Sequence, residues 1–377
     1  MTLHVLQVTM VGTFPPPVHG MAAVNAAVRD RLLAVDARVR VINTAPFSLN
    51  RGMATRLGRV PRVMSGLARL AGTRHLRGAA LYIGISGGGG QVYDLIFLLL
   101  ARARGMRVFA HHHSFAYLDQ PSRLTSWLTR AAGADALHVA LSQRMAERLR
   151  ERYPVVRETL AMSNAALLLG DRASSALDTA RALATIGCIG NLSAEKGVFD
   201  FLDVCQATQD AGLPIRGCLA GPFQDAGTER AVRARLEVLP HVEYIGPVYG
   251  EAKQRFYAGI DVLLFPTRYR NEAEPLVVLE ALGAGVPVIA FARGAIPEYV
   301  DENCGAVVPV GGDFAAAALA VLRRWHDDVD GLNAACVAAR ARFGEVRGRA
   351  MVALAQLQTR LVGEEAAAAS LQHKVDG

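Results

Sequence analysis

Apolar runs of strand length alternate with segments of helical spacing along almost the whole chain, in two successive series. In the first, LHVLQVTMV (3–11), RVRVI (38–42), AALYIGI (79–85), MRVFAH (106–111) and ALHVAL (136–141) precede candidate helices near 21–34, 54–70, 91–104, 121–132 and 142–152. In the second, ATIGCIG (184–190), IRGCLAG (215–221), VEYIG (242–246), DVLLFP (261–266), PVIAF (287–291) and AVVPV (306–310) alternate with helices near 197–211, 227–237, 250–259, 275–284 and 313–325. Continuous apolar strands separated by helices make a parallel sheet covered on both faces. The pattern predicts an α/β chain of two Rossmann-like doubly wound domains facing across a cleft. A chain of 377 residues is comfortable for two cores of ordinary size. The expected division is 1–165, a linker over 166–182 in the small-residue stretch SNAALLLGDRASSALDTAR, 183–345, and a C-terminal helix and frayed tail over 346–377 able to pack back on the first domain. Ligands of open α/β sheets bind at the carboxyl ends of the strands, so function belongs in the strand-to-helix loops.

Charge divides unevenly between the halves. Residues 1–165 hold 21 arginines, no lysine and 8 acids, a balance of +13, while residues 166–377 carry −6. The sharpest part is 51–78, with seven arginines and no acid; Met53, Leu57, Val60, Met64, Leu67 and Leu70 recur there at helical spacing. Either this is a solvated helix face, or Arg56, Arg59 and Arg62 flank an apolar stripe laid on an anionic membrane. No basic-aromatic interleaving, RNP or helix-turn-helix pattern accompanies the charge, so nucleic acid is not expected. The opening MTLHVLQVTMVGTFPPP lacks the basic start and cleavage site of a secretory signal, and the longest clean apolar runs, such as Leu95–Ala101, fall far short of the ~20 residues that span a bilayer. A cytoplasmic protein, at most at the inner face of the membrane, is expected. Five cysteines without a CxxC pair read as buried thiols, with no disulfide and no zinc.

Four loops stand out. TFPPPVHGM (13–21) leaves the first strand and reaches His19 and Gly20 just before a helix, where backbone approaches a ligand closely. GISGGGGQ (84–91) lacks the GK[ST] ending of a phosphate loop and reads as a flexible, cleft-facing, acceptor-side loop. His111, His112 and His113 end a strand; alternate residues point to opposite faces, so the three cannot share one metal, while one of them is placed to meet a substrate. SAEKG puts Lys196 at a helix start, one of only three lysines against 38 arginines, which suggests a point charge on a phosphate.

The richest stretch is NEAEPLVVLEALGAGVPVIA (271–290). Pro275 suits the first turn of a helix, so Glu272 lies in the loop before it and Glu280 inside it. Amides from about Leu276 point where a phosphate would sit. Glu280, amid Leu276, Val277, Leu279 and Leu282, requires a partner, for which ribose hydroxyls are suitable.

This Glu-x7-Glu element, with PPPVHGM, the strand-ending histidines, SAEKG, the loop after YIG, DVLLFPTRYRNEAEP and ARGAIPE in order, resembles the GT-B glycosyltransferases of the retaining family 4 type. The resemblance implies a nucleotide-sugar donor, UDP-linked by preference and GDP-linked otherwise, held by the second domain. It implies an acceptor held by the first: a glycan or a polyprenyl-diphosphate-linked saccharide in cell-surface polysaccharide synthesis, lipopolysaccharide included. Catalytic roles fall on Glu272, at the sugar hydroxyls, Lys196, at the diphosphate, and His112, beside the reacting sugar. Donor contacts fall on Glu280 at the ribose, Val248 near the base, Gly20 closing over the diphosphate, and Asn191, Ala273, Glu274, Leu276, Val277 and Arg270. His19, Arg56, Arg59 and Arg62 fall on the acceptor or membrane side. No cofactor and no metal are implied. Asn191 stands where the family commonly has arginine, so Arg268, Arg270 or Arg293 replaces it, or donor affinity and rate fall. That departure leaves open a non-catalytic nucleotide-sugar or glycan-binding protein on the same fold, and a GT-B sugar-nucleotide epimerase is a second alternative.

Overall fold

Two six-stranded parallel sheets carry the chain, in a computed structural model that describes residues 7–16, 20–46, 58–168 and 181–363. It divides into two compact units, residues through Leu167 together with those from Gly348 onward, and Leu168–Arg347.

In the first unit the elements run β1 (Gln7–Gly12), α1 (Gly20–Leu33), β2 (Arg38–Asn43), α2 (Val60–Gly72), β3 (Ala80–Ile85), α3 (Gln91–Ala103), β4 (Arg107–His112), α4 (Ala116–Asp119), α5 (Arg123–Ala132), β5 (Leu137–Ala140), α6 (Gln143–Arg152) and β6 (Glu158–Ala161). The strand order is β2-β1-β3-β4-β5-β6. Every residue of β3 and of β5 is buried, as expected for strands covered on both faces. Sequence reading missed β6: ETLA is a half-exposed edge strand and carries no apolar run. The expected apolar stripe of α2 is corrected in part, since its Leu67 and Leu70 pack inward together. Val63, Gly66 and Leu70 face the core with Phe97 and Leu98 of α3, whereas Val60 and Met64 are exposed; Met53 and Leu57 lie outside the described residues.

The second unit runs β7 (Thr185–Ile189), α7 (Val198–Asp210), β8 (Arg216–Ala220), α8 (Ala226–Glu237), β9 (Val242–Gly246), α9 (Gly250–Ala258), β10 (Val262–Phe265), α10 (Leu276–Gly283), β11 (Val288–Phe291), α11 (Ile296–Tyr299), β12 (Gly305–Val308), α12 (Phe314–Asp327) and α13 (Val329–Val362). Its order is β12-β11-β10-β7-β8-β9. The chain starts at the central strand β7, fills one side, then crosses to the other at β10. A topological switch point therefore lies between β7 and β10. One core joins Ile186, Leu219, Val262, Leu264 and Ile289 of the sheet to Phe201 and Leu202 of α7 and Phe314 of α12.

Local chemistry starts the helices where the sequence signals it. Ser122, Ser142, Asp225 and Asp313 accept from the amides of Thr125, Met145, Thr228 and Ala316, each cap worth about 1 kcal/mol. The last helix, α13, ends in the first unit, where Gln358 donates to the Arg31 carbonyl at 2.8 Å, Arg107 donates to the Arg360 carbonyl at 2.7 Å, and Arg360 pairs with Glu158. All five cysteines are free thiols. Among the described residues no helix is long and apolar enough to cross a membrane.

Leu264 in β10 is fully buried. Leu264→Ala is expected to cost the second unit about 2–5 kcal/mol, read as a lower urea midpoint for its unfolding.

Candidate functional site

At the switch point of the second unit, the loops leaving β7 and β10 lie against each other. The loop after β7 forms a 3-10 turn, Ala194–Lys196, capped by the Ser193 hydroxyl on the Lys196 amide at 3.3 Å. It then turns through Gly197 at φ +82, where an added Cβ would stand 2.1 Å from the Pro266 carbonyl oxygen. Only glycine lets the two loops run this close. The Arg268 amide donates to the Glu195 carbonyl at 2.8 Å and ties them together.

This contact places Lys196 and Glu272, 76 residues apart, in an ion pair with side-chain exposures of 27% and 11%. Thr267 donates its hydroxyl to the same carboxylate oxygen at 3.4 Å, and the ammonium stands 4.8 Å from the centre of the Tyr269 ring. The anion that balances Lys196 is thus Glu272 itself. Beside the pair, Pro275 caps α10, and the amides of Leu276 and Val277 make no hydrogen bond among the described residues. They are half-buried donors at a helix N-terminus, suited to an anion.

Other predicted contacts hold the loop instead of facing outward. Ala273 is buried, and its carbonyl accepts from the Ala295 amide at 2.7 Å. Gly294, at φ +55, permits that approach, since an added Cβ would lie 2.2 Å from the same oxygen. Glu274 is buried and accepts from the Tyr299 hydroxyl. Arg270 is exposed and Val248 is half-buried beyond β9. Asn191 is half-buried, and its side chain forms no hydrogen bond among the described residues. Of the arginines considered in its place, Arg268 pairs with Asp200, and Arg293 donates to the Arg268 carbonyl at 3.1 Å.

Glu280 has protein partners that sequence reasoning missed. Lys253 of α9 reaches one of its oxygens at 2.5 Å, and Tyr257, one turn on, donates its hydroxyl to the other at 2.9 Å. Burial, followed by the neighbouring carboxylate, holds the Tyr257 phenol well above its ordinary range, so it stays a neutral donor. The burial of Glu280 is therefore compensated within the protein and does not by itself call for a ribose. A signal was available: Lys196 and Lys253 are two of the three lysines in the chain, and each faces one glutamate of the Glu-x7-Glu element.

In the first unit, β1 has β2 on one side and β3 on the other, so the loops after β1 and β3 flank its own switch point. Gly20 is exposed at the start of α1, while His19 and Arg56 lie outside the described residues. The glycine tract forms a 3-10 turn, Gly88–Gly90, that runs straight into α3. Behind it, buried Asp94 accepts from the Ser86 amide at 2.8 Å, and burial pushes its carboxyl up to about 7. Arg59 donates to the Thr44 carbonyl at 2.6 Å and stacks on Tyr93, and Arg62 donates to the Ala45 carbonyl at 2.8 Å, so both reach back to backbone behind β2. His112 is fully buried, as is His111 on the opposite face, because β4 is covered on both sides. Its Nδ1 lies 2.9 Å from the Tyr117 hydroxyl and its Nε2 2.9 Å from His138 Nδ1, so both ring nitrogens are engaged inside the protein. On the other face, His111 Nδ1 lies 2.5 Å from the Tyr82 hydroxyl, and His113 is half-buried. Among the described residues, no three His, Cys, Asp or Glu side chains form a metal-sized group.

Fold and site define a class. The structure superposes on the Anabaena protein HepE in complex with UDP and glucose at a TM-score of 0.67, with 15% identity, covering 94% of this chain and 100% of that one. It also superposes on sucrose-phosphate synthase of Thermosynechococcus elongatus at 0.70, with 16% identity over 94% and 99% of the two chains. The two parallel sheets have the GT-B glycosyltransferase fold. Residues 184–327 match the family model described as glycosyl transferases group 1, so the second unit carries a domain of that family. Over 137 residues the chain is 31% identical to D-inositol 3-phosphate glycosyltransferase of Geodermatophilus obscurus, covering 31% of this chain and 30% of that protein. Over 128 residues it is 33% identical to the GDP-mannose-dependent alpha-(1-6)-phosphatidylinositol monomannoside mannosyltransferase of Mycobacterium tuberculosis, covering 32% of each. The matches thus span about a third of the length of these curated relatives.

The buried polar cluster of the first unit predicts acid sensitivity. Burial holds His111 and His112 well below 6.5, with their neighbouring histidines adding to it, and burial takes His138 to about 4. As pH falls below about 6.5 the unfolded chain binds these protons and the folded one does not, so folding weakens. Asp94 acts in the opposite sense: raised to about 7, it binds its proton in the folded state first and gains stability as pH falls from about 7 toward 4. Three groups outweigh one. The melting temperature of the first unit is expected to fall between pH 6.5 and 4, and His138→Asn is expected to flatten that slope in thermal melts across this range.

Proposed function

We propose that the protein is a retaining glycosyltransferase that moves a sugar from a nucleotide-sugar donor, bound by the second unit, to a glycan or lipid-linked saccharide, bound by the first. The observation that carries it is the meeting of Lys196 and Glu272 at the switch point, beside the unbonded amides of Leu276 and Val277, inside the segment that matches the group 1 family. A UDP-sugar is the favoured donor. The solved neighbour HepE was captured with UDP and glucose, while the mycobacterial relative is named for GDP-mannose.

In this reading the donor diphosphate competes with Glu272 for the Lys196 ammonium and takes the two amides at the start of α10. The carboxylate released from Lys196 accepts hydroxyls of the transferred sugar. Negative charge grows on the diphosphate as the glycosidic bond breaks. A fixed ammonium and helix-end amides are the groups that stabilise it without reorganising. The acceptor hydroxyl attacks from the side the diphosphate leaves, and the departing phosphate oxygen takes its proton. No metal is required in this scheme, because Lys196 and the amides supply the positive charge. Glu280, oriented by Lys253 and Tyr257, binds the ribose.

Asn191 favours a second reading, a nucleotide-sugar or glycan-binding protein without turnover, since it supplies no charge at the diphosphate. A thermal-shift series with UDP, GDP, ADP and their sugar conjugates, with and without magnesium, followed by transfer and hydrolysis assays, separates the readings. The expected result is stabilisation by one nucleotide series without metal, and transfer to a saccharide. Binding without either activity would support the second reading. Lys196→Ala and Glu272→Ala are each expected to lower kcat about 100-fold or more with the fold retained. Glu280→Ala is expected to weaken donor binding by about 10- to 100-fold, and Lys253→Met to weaken it less, measured by calorimetric titration. Near-normal turnover in the Lys196 and Glu272 variants would sink the assignment.

A further inference from the structure

The outer face of the first unit carries an apolar surface that nothing in the proposed donor chemistry uses. In α3 the exposed side chains Val92, Ile96 and Leu99, at 46, 42 and 55% exposure, recur at i, i+4 and i+7 and so form one stripe. That stripe is about 10 Å long, from the 1.5 Å rise of a helix. The helix packs between α2 and α5, whose inner residues share its core. From α2 comes Met64, 59% exposed, and from α5 Trp127, 57% exposed. Large apolar side chains on three neighbouring helices thus face away from the core.

The charge around them has one sign. Arg123 and Arg130 are exposed four residues before and three after Trp127, on its own face of α5, and Arg69 is exposed on α2. Among the residues of α2, α3 and α5 the only acid is Asp94, which points inward with 4% exposure. Acids just beyond these helices are already matched, Asp135 by Arg102 at 2.8 Å and Asp119 by Arg148 at 2.9 Å. The helices α1 and α6 differ, mixing Asp30, Glu147 and Glu151 with their arginines. An apolar stripe, a half-exposed tryptophan and arginines without acids are complementary to the boundary of an anionic bilayer. There the apolar groups enter the acyl edge, the indole sits at headgroup level and the guanidinium groups meet phosphates.

We propose that the α2–α3–α5 face is a membrane-docking surface for anionic lipid, with Ile96, Leu99 and Trp127 inserted and Arg69, Arg123 and Arg130 on headgroups. It does not depend on the transfer reaction. It also moves the membrane role away from Arg59 and Arg62, which reach back to backbone carbonyls.

The test uses the full chain with vesicles of phosphatidylglycerol and phosphatidylcholine, and of phosphatidylcholine alone, in co-sedimentation and tryptophan fluorescence. The second tryptophan, Trp325, is 3% exposed, so a blue shift on adding vesicles reports Trp127. Binding to the anionic vesicles with a blue shift, weakened by salt and weak on phosphatidylcholine, is expected. Arg123→Glu with Arg130→Glu is expected to lower partitioning about 25-fold or more, from about fivefold for each basic residue at the surface. Ile96→Asp with Leu99→Asp is expected to abolish it, with circular dichroism and nucleotide binding unchanged because both side chains are exposed. Equal binding by either double variant, or equal binding to neutral vesicles, overturns the proposal. So does a protein that ignores vesicles and instead forms a dimer that Ile96→Asp with Leu99→Asp dissociates; the face would then belong to a second copy.

Discussion

Parallel pairing of β7 with β10 is the contact on which the rest of the second unit's chemistry depends. These strands are not neighbours in sequence: β8 and β9 are laid down first on the far side of β7, and the chain then crosses back. The crossing opens a gap in the helical cover at the carboxyl ends of two adjacent strands, and the loops leaving them converge there. Gly197 sets how closely they converge, because any side chain would collide with the Pro266 carbonyl. Lys196, Glu272 and the first turn of α10 inherit their positions from that approach.

Electrostatics then completes what topology begins. Each glutamate of the Glu-x7-Glu element is held by a lysine, Glu272 by Lys196 and Glu280 by Lys253 with Tyr257. A carboxylate with small exposure is costly unless it is paired and hydrogen-bonded, and both are. The pairing also fixes the positions of these side chains, which is how a polar site limits reorganisation. In the first unit the same demand is met by neutrality. Histidines, tyrosines and Asp94 lie behind the strand ends with burial favouring their uncharged forms.

Much of the fold was legible because buried parallel strands are continuous apolar runs and the segments between them have helical spacing; the caps that start several helices agree with it. Ser122, Ser142, Asp225 and Asp313 stand at the first residues of helices as side-chain chemistry requires. What failed was weak in the same signal. The edge strand ETLA is polar and short, and α2 carries apolar residues on two faces, so its periodicity found Leu70 but also pointed to Val60 and Met64 where packing chose Val63. At the site, Lys196, Glu272 and the start of α10 were readable as charges at loop and helix ends. Lys253 was marked only by the rarity of lysine, and its partner was not readable, because it lies on a different helix whose approach to Glu280 no local spacing encodes. The burial of His112 was not readable from the run of three histidines, because it follows from helices covering both faces of β4.

The sequence by itself determined the two series of strand and helix, the loops that carry chemistry and the residue types available there, since periodicity, capping and turn propensity act over a few neighbours. Tertiary structure decided partnership. It brought together the lysine and glutamate of Lys196–Glu272, 76 residues apart, and those of Lys253–Glu280, 27 apart. It turned Arg59 and Arg62 back to carbonyls while leaving Arg123 and Arg130 beside an exposed tryptophan. Which charge meets which, and which apolar side chain is left facing outward, depends on strand order and helix packing, and these follow from burying the whole set of apolar faces at once.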